Sequence, residues 1–194
     1  MKIQNAFIAS TISLSITFHV LPGIANAEEW HRIPSVDGRA SVMFPVPLDE
    51  NKVRTTVDKT PAGKATTRML EYQDEGMLFT ISGTVLPGLA IQLAGETTIM
   101  KKPKERLLSN AYSKEASYVQ YDGLKGPKAM LLKYDSANLQ KEGHPGFKGF
   151  AVLFVLGKKL YVVNSMLENG TDEATQDENL AAQEKLLKSI EILY

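Results

Sequence analysis

The strongest constraint in this sequence is a pair of apolar runs, Phe147 to Leu156 and Lys159 to Ser165, separated only by Gly157 and Lys158. In the first run Phe150, Val152 and Phe154 alternate with Leu153 and Val155, so both faces of an extended segment are apolar. A strand with water on one side alternates apolar and polar residues, so these runs predict central strands covered on both faces. The two-residue link suits a tight hairpin with glycine in the first, positive-φ position. A sheet covered on both sides needs further layers, and the rest of the chain must supply them.

The remaining segments fit that requirement. Ala40, Val42 and Phe44 alternate with Arg39, Ser41 and Met43 in a strand that opens after Trp30, His31 and Ile33 and stops at Pro45 and Pro47. Val53 to Val57, Thr66 to Tyr72 and Met77 to Gly83 predict three more strands, the last two joined across Gln73 to Gly76. From Pro87 to about Lys114 the period changes. Leu89, Leu93 and Ala94, then Leu107, Leu108, Ala111 and Tyr112, recur at helical spacing, with a break expected near Lys101 to Pro103.

Ala116 to Tyr121 and Pro127 to Tyr134 are extended again. Thr175 and Glu178 have capping-box spacing ahead of a final helix whose stripe is Leu180, Gln183, Leu187 and Ile190, flanked by Ala182 and Leu186. Ile190 to Leu193 is expected to form a short last strand. The fold class is therefore α+β: one antiparallel sheet covered by helices, an α/β/α sandwich, with no repeat or linker dividing it.

The N-terminus reads as a separate unit. Lys2 precedes an apolar and hydroxylic run from Ala6 to Ile24, broken by Pro22 and Gly23, and Ala25-Asn26-Ala27 has the small-x-small form of a signal-peptidase site. Ser10, Thr11, Ser13, Ser15, Thr17 and His19 dilute the run below what a membrane anchor requires. Residues 1–27 are thus a signal peptide cut after Ala27, and 28–194 form one domain of an exported protein, periplasmic or secreted by a Sec-type route. No transmembrane span is expected once the leader is gone.

The chain has no cysteine, which excludes thiol catalysis, thiolate metal sites and disulfides. A domain of 167 residues, 194 less the leader's 27, buries enough core to do without them. Lys plus Arg and Asp plus Glu number 22 each, and losing Lys2 leaves a net charge of minus one. That balance argues against nucleic acid as a partner.

The opening Trp30, the run Gly38-Arg-Ala-Ser-Val-Met-Phe-Pro45 and the closing Leu186-Leu-Lys-Ser-Ile-Glu-Ile192 resemble the PsbP-like and DcrB-like group of exported proteins. The resemblance covers the chain ends and the order of elements between them. It implies an α/β/α sandwich and a small accessory or binding module without catalytic activity, and it carries over no ion-binding residue.

Catalytic constellations are not legible. His31 and His144 stand alone, no cofactor motif is present, and Ser82 and Ser165 lack a nucleophile's setting, while Ser113 and Ser189 are expected to be exposed helix-end residues. The acids Glu71, Asp74 and Glu75, and Asp172, Glu173, Asp177 and Glu178, fall at a turn and a helix start, where carboxylates have structural reasons to be. Trp30 is expected to be a buried anchor.

Three functions remain. The first is a non-enzymatic module that binds a protein or envelope component, with the long loop between Asp135 and Phe147 as its contact and Gln140, Lys141, His144 and Phe147 as candidate contact residues. The second is a hydrolase with a carboxylate site near the same loop. The third is a peripheral envelope protein that meets anionic lipid through Lys101, Lys102, Lys104 and Arg106.

Overall fold

The computed structural model describes residues 30–47, 53–60, 63–74, 76–88, 90–110, 113, 116–136, 147–168 and 173–193. Ala27 and the rest of the expected leader, residues 1–27, lie outside them. The elements in chain order are β1 (His31–Pro34), β2 (Ala40–Phe44), β3 (Arg54–Thr60), β4 (Gly63–Asp74), β5 (Met77–Val85), α1 (Ala90–Asn110), β6 (Ala116–Gln120), β7 (Ala129–Asp135), β8 (Phe147–Leu156), β9 (Lys159–Glu168), α2 (Glu173–Lys188) and β10 (Glu191–Ile192).

Every strand pair is antiparallel, and within β1-β2, β3-β4-β5 and β6-β7-β8-β9 consecutive strands return beside one another. Gly76 (φ 78°) and Gly157 (φ 58°) make the tight turns into β5 and β9 in a backbone region that favours glycine. Two meanders result, β3-β4-β5 and β6-β7-β8-β9. They join through β5 and β9, from Met77 opposite Leu167 to Val85 opposite Lys159, to give a seven-stranded sheet of order β3-β4-β5-β9-β8-β7-β6.

The expectation of a single sheet is corrected here, since β1, β2 and β10 form a second, three-stranded sheet. Its inward residues Ile33, Ala40, Val42 and Phe44 join Phe79, Phe154, Tyr161 and Val163 of the large sheet in one core cluster. A flat edge-to-edge continuation would leave those apolar residues in water. Packing face to face removes them from it, at roughly 25 cal/mol per Å² of apolar surface.

The core thus has two halves separated by the large sheet. On one face lie the small sheet and α2, with Phe150, Val152 and Phe154 of β8 pointing toward them. On the other, Ala151, Leu153 and Val155 meet Met100, Ile99, Leu107 and Leu108 of α1. The doubly apolar pattern of β8 has this cause.

Both helices depart from the sequence expectation in detail. The break in α1 falls at Gly95 (φ 70°, ψ 159°), while Pro103 is carried inside the helix. A proline forfeits one amide donor, which a helix held by packing tolerates; the backbone angles at Gly95 are open essentially to glycine alone. In α2 the helix begins at Glu173, so Thr175 lies within it and not at its cap. The inward line is Asn179, Gln183, Leu186 and then Ile190, whereas Leu180 is 43% exposed and Leu187 half-buried. Polar amides, Asn179 and Gln183, take two of the inward positions, which an apolar count passes over.

Ser113 and Ser189 are also corrected. Ser113 is buried, its hydroxyl donating to the Asp135 carbonyl at 3.3 Å. Ser189 donates to the Leu186 carbonyl at 2.7 Å and accepts the Met43 amide at 2.8 Å, fastening the end of α2 to β2. Trp30 packs against the core, its ring 6.4 Å from that of Phe79 and 4.4 Å from the Lys185 ammonium, as an anchor of the N-terminus does.

Candidate functional site

The register of β7 on β8 places Lys133 opposite Phe150, Tyr134 opposite Gly149 and Asp135 opposite Lys148. Beside this pair the middle and C-terminal half of α2 present Leu180, Gln183, Glu184 and Leu187, and a groove of about 550 Å³ lies between. That volume falls in the range of ligand sites. Its lining is apolar through Phe150, Leu180 and Leu187 and carries charges of both signs, Lys133 and Lys148 against Asp135 and Glu184.

Gly149 is required on the other face of the sheet, the one under α1. A methyl group there would stand 2.1 Å from the Ser165 carbonyl oxygen and 2.6 Å from the Tyr134 hydroxyl, so no side chain fits without moving backbone. The space holds Tyr134, whose hydroxyl donates to Asn164 Oδ1 at 2.8 Å or to the Ser165 carbonyl at 3.0 Å. Burial pushes that phenol well above its ordinary value.

One polar atom in the groove wall is unpaired. Gln183 is 6% exposed, and its Nε2 has no hydrogen-bond partner among the described residues. A buried donor left unsatisfied costs about 1–3 kcal/mol. No sequence pattern marks this residue as polar and buried; it stood in the expected stripe only by spacing.

The expected contact loop departs from the end of this groove. Its neck is closed by Ser136 and Phe147, with the Ser136 amide on the Phe147 carbonyl at 2.9 Å and the Phe147 amide on Ser136 Oγ at 2.5 Å. Phe147 is 5% exposed and belongs to the cluster under α1, so its side chain serves the core. Gln140, Lys141 and His144 lie outside the described residues.

The other candidates are dispersed. Glu71 pairs with Arg54 at 3.5 Å, Asp177 and Glu178 are exposed on α2, and Glu75 and Asp172 lie outside the described residues. Among the described residues no group of His, Asp or Glu side chains could hold a metal ion. The basic run on α1 is divided, with the Lys104 ammonium seated 4.6 Å over the Tyr118 ring while Lys101, Lys102 and Arg106 are exposed.

A second titratable cluster, missed by sequence reading, joins the two sheets. Asp37, in the turn between β1 and β2, accepts hydrogen bonds from Tyr161 and Lys159 at 2.5 Å each and from Ser35 at 2.7 Å. Burial alone would raise its pKa. The hydrogen bonds from Lys159, Tyr161, Ser35 and the Arg39 amide outweigh that and hold the carboxyl well below the usual range. Tyr161 is pushed up by burial and by the carboxylate it faces. A carboxylate so fully engaged is a clamp between layers, not a base.

No family model matches the sequence, and no curated protein matches it. Solved structures do. The solution structure of cyanobacterial PsbP from Synechocystis sp. PCC 6803 is 12% identical with a TM-score of 0.46, the match covering 90% of this chain and 98% of that one. A mutant of the protein Mog1 is 11% identical with a TM-score of 0.46, covering 84% and 96%. The Ran-binding protein Mog1p of Saccharomyces cerevisiae is 10% identical with a TM-score of 0.45, covering 84% and 95%. PsbP, the group that the chain ends resemble, thus stands among the similar folds.

Proposed function

We propose that this chain is exported, loses its leader after Ala27, and works as a non-enzymatic module that holds part of a protein or envelope component in the groove beside α2. The groove itself carries this reading: Phe150, Leu180 and Leu187 offer a ligand an apolar surface, and Lys133, Lys148, Asp135 and Glu184 offer polar partners around it. Leu180→Glu changes an exposed wall residue and is expected to leave the thermal midpoint in place. Envelope extract passed over both forms should yield a partner retained by the wild type and lost by the variant. Equal retention by both, or by neither, removes the groove from the reading. Export is checked separately by the mass of the recovered protein, which should begin at Glu28.

A second reading has one observation in its favour, since Asp135 and Glu184 line the same groove as a hydrolase's two acids would. Glu184 is 71% exposed and paired with Lys188 at 3.1 Å, whereas a general acid near neutral pH needs a desolvated carboxyl. Turnover of a chromogenic glycoside that Glu184→Gln abolishes would install this reading in place of the first.

A further inference from the structure

Among the described residues the large sheet is covered on both faces along β5, β9 and β8, and no element packs on the corner formed by β3, β4 and the end of β5. On the face that bears Tyr161, the register aligns Val57, Thr66 and Val85 across three strands, and Lys59 with Lys64 and Thr55 with Arg68 on either side of that row. Val57 is 57% exposed and Val85 45%, and Lys59, Lys64 and Arg68 are exposed as well. Lys159, next along the row, is already spent on Asp37.

This corner has two features that ordinary surface design avoids. Lys59 and Lys64 are directly opposite each other, at Cβ distances of roughly 4.5–5.5 Å, where like charges destabilise a sheet. Two valines also stand in water about 10 Å apart, two strand spacings, between the cations. No carboxylate among the described residues of this face answers the three positive charges, since Asp58 and Glu71 alternate to the other side. An anion lying between the cations would remove the first conflict, and an apolar layer just beneath it would remove the second.

We infer that this face of the β3–β4 hairpin and the end of β5 docks on an anionic bilayer surface. The array is open and built on a sheet surface, with charge and methyl groups interleaved in two dimensions. A bilayer interface matches it, with phosphates for Lys59, Lys64 and Arg68 and the glycerol region for Val57 and Val85. The third sequence alternative, contact with anionic lipid through Lys101, Lys102, Lys104 and Arg106 of α1, is thereby replaced by contact through a different element. On α1 the run is interrupted by Lys104, which is held over Tyr118.

Flotation of the full chain with vesicles of phosphatidylcholine alone, and with added phosphatidylglycerol, tests the inference. Every variant carries the same apolar leader, so differences between variants report the face itself, and neutral vesicles report the leader. The wild type should bind anionic vesicles more tightly, and lose that excess at high salt. The combined Lys59→Gln, Lys64→Gln and Arg68→Gln variant should bind them on the order of a hundred-fold more weakly, with an unchanged thermal midpoint, from three cations near the surface. Lys101→Gln with Arg106→Gln should bind like the wild type. Three outcomes overturn the inference: binding that ignores lipid charge, a triple variant that binds as well as the wild type, or an α1 variant that loses as much. Retention on immobilised polyglutamate at a salt concentration where anionic vesicles no longer hold the chain would assign the face to an acidic protein instead, and would equally overturn it.

Discussion

At the scale of single residues, Asp37 shows how much a short turn can decide. Four groups from the turn and from β9 converge on its carboxylate, and its side chain is 23% exposed, so their hydrogen bonds are little screened. Asp37→Asn keeps the shape and removes the charge, and is expected to cost about 1.5–3 kcal/mol at neutral pH. Because the folded pKa is lowered from an ordinary value of 3.8, the stabilisation is complete above that value and is lost as pH falls below it. Urea midpoints of wild type and variant should therefore differ most at pH 7 and clearly less at about pH 2, the gap narrowing from about pH 3.8 downward and closing only below the lowered folded pKa. An equal gap at both values would show that the charge plays no part in the clamp.

At the scale of elements, the two helices were legible as helices and misread in detail for different reasons. Pro103 attracts the expectation of a break because proline lacks a donor, yet the chain breaks at Gly95, where φ is 70° and ψ 159°. A Cβ at Gly95 would meet no other atom within 4 Å, so any penalty there is purely one of backbone conformation. Gly95→Ala is expected to destabilise by about 1–3 kcal/mol, read as a lower urea midpoint. An unchanged midpoint would mean that the two helical pieces can merge without cost. In α2, Leu180 and Leu187 were assigned to the buried stripe because hydrophobicity was the only guide. Packing chose the adjacent line through Leu186, and left Leu180 to wall a groove.

At the scale of the whole molecule, the first and last strands are built into one layer. The β10 strand pairs with β2 through Glu191 opposite Ser41 and Ile192 opposite Ala40, Leu193 donates to the Arg39 carbonyl at 2.9 Å, and Arg32 reaches Glu191 at 2.8 Å. Ile190 is buried in the core cluster just before them. Truncation after Lys188 removes all of this and is expected to lower stability by about 3 kcal/mol or more, given the cost of losing one buried isoleucine alone. Thermal unfolding of the truncated chain checks it, and a midpoint within a few degrees of the full chain's would make the C-terminal residues an appendage. No helix among the described residues is long and apolar enough to cross a membrane.

What the sequence determined by itself was local and periodic. Alternation in β2, β4, β5 and β7, apolarity on both faces of β8 and the glycine of the β8–β9 turn are short-range patterns, and a strand or hairpin needs nothing more to be recognised. The layered α+β architecture followed, because a strand apolar on both faces must be covered twice. Tertiary structure alone decided which segments separated by long stretches of chain would meet. That includes the β5–β9 junction, the departure of β1, β2 and β10 into a second sheet, the convergence of Ser35, Lys159 and Tyr161 on Asp37, and the groove that sets Gln183 beside Phe150. Such contacts bring together residues up to more than a hundred positions apart, as Asp37 and Tyr161 are, and are chosen by the fit of whole faces, which no local period records.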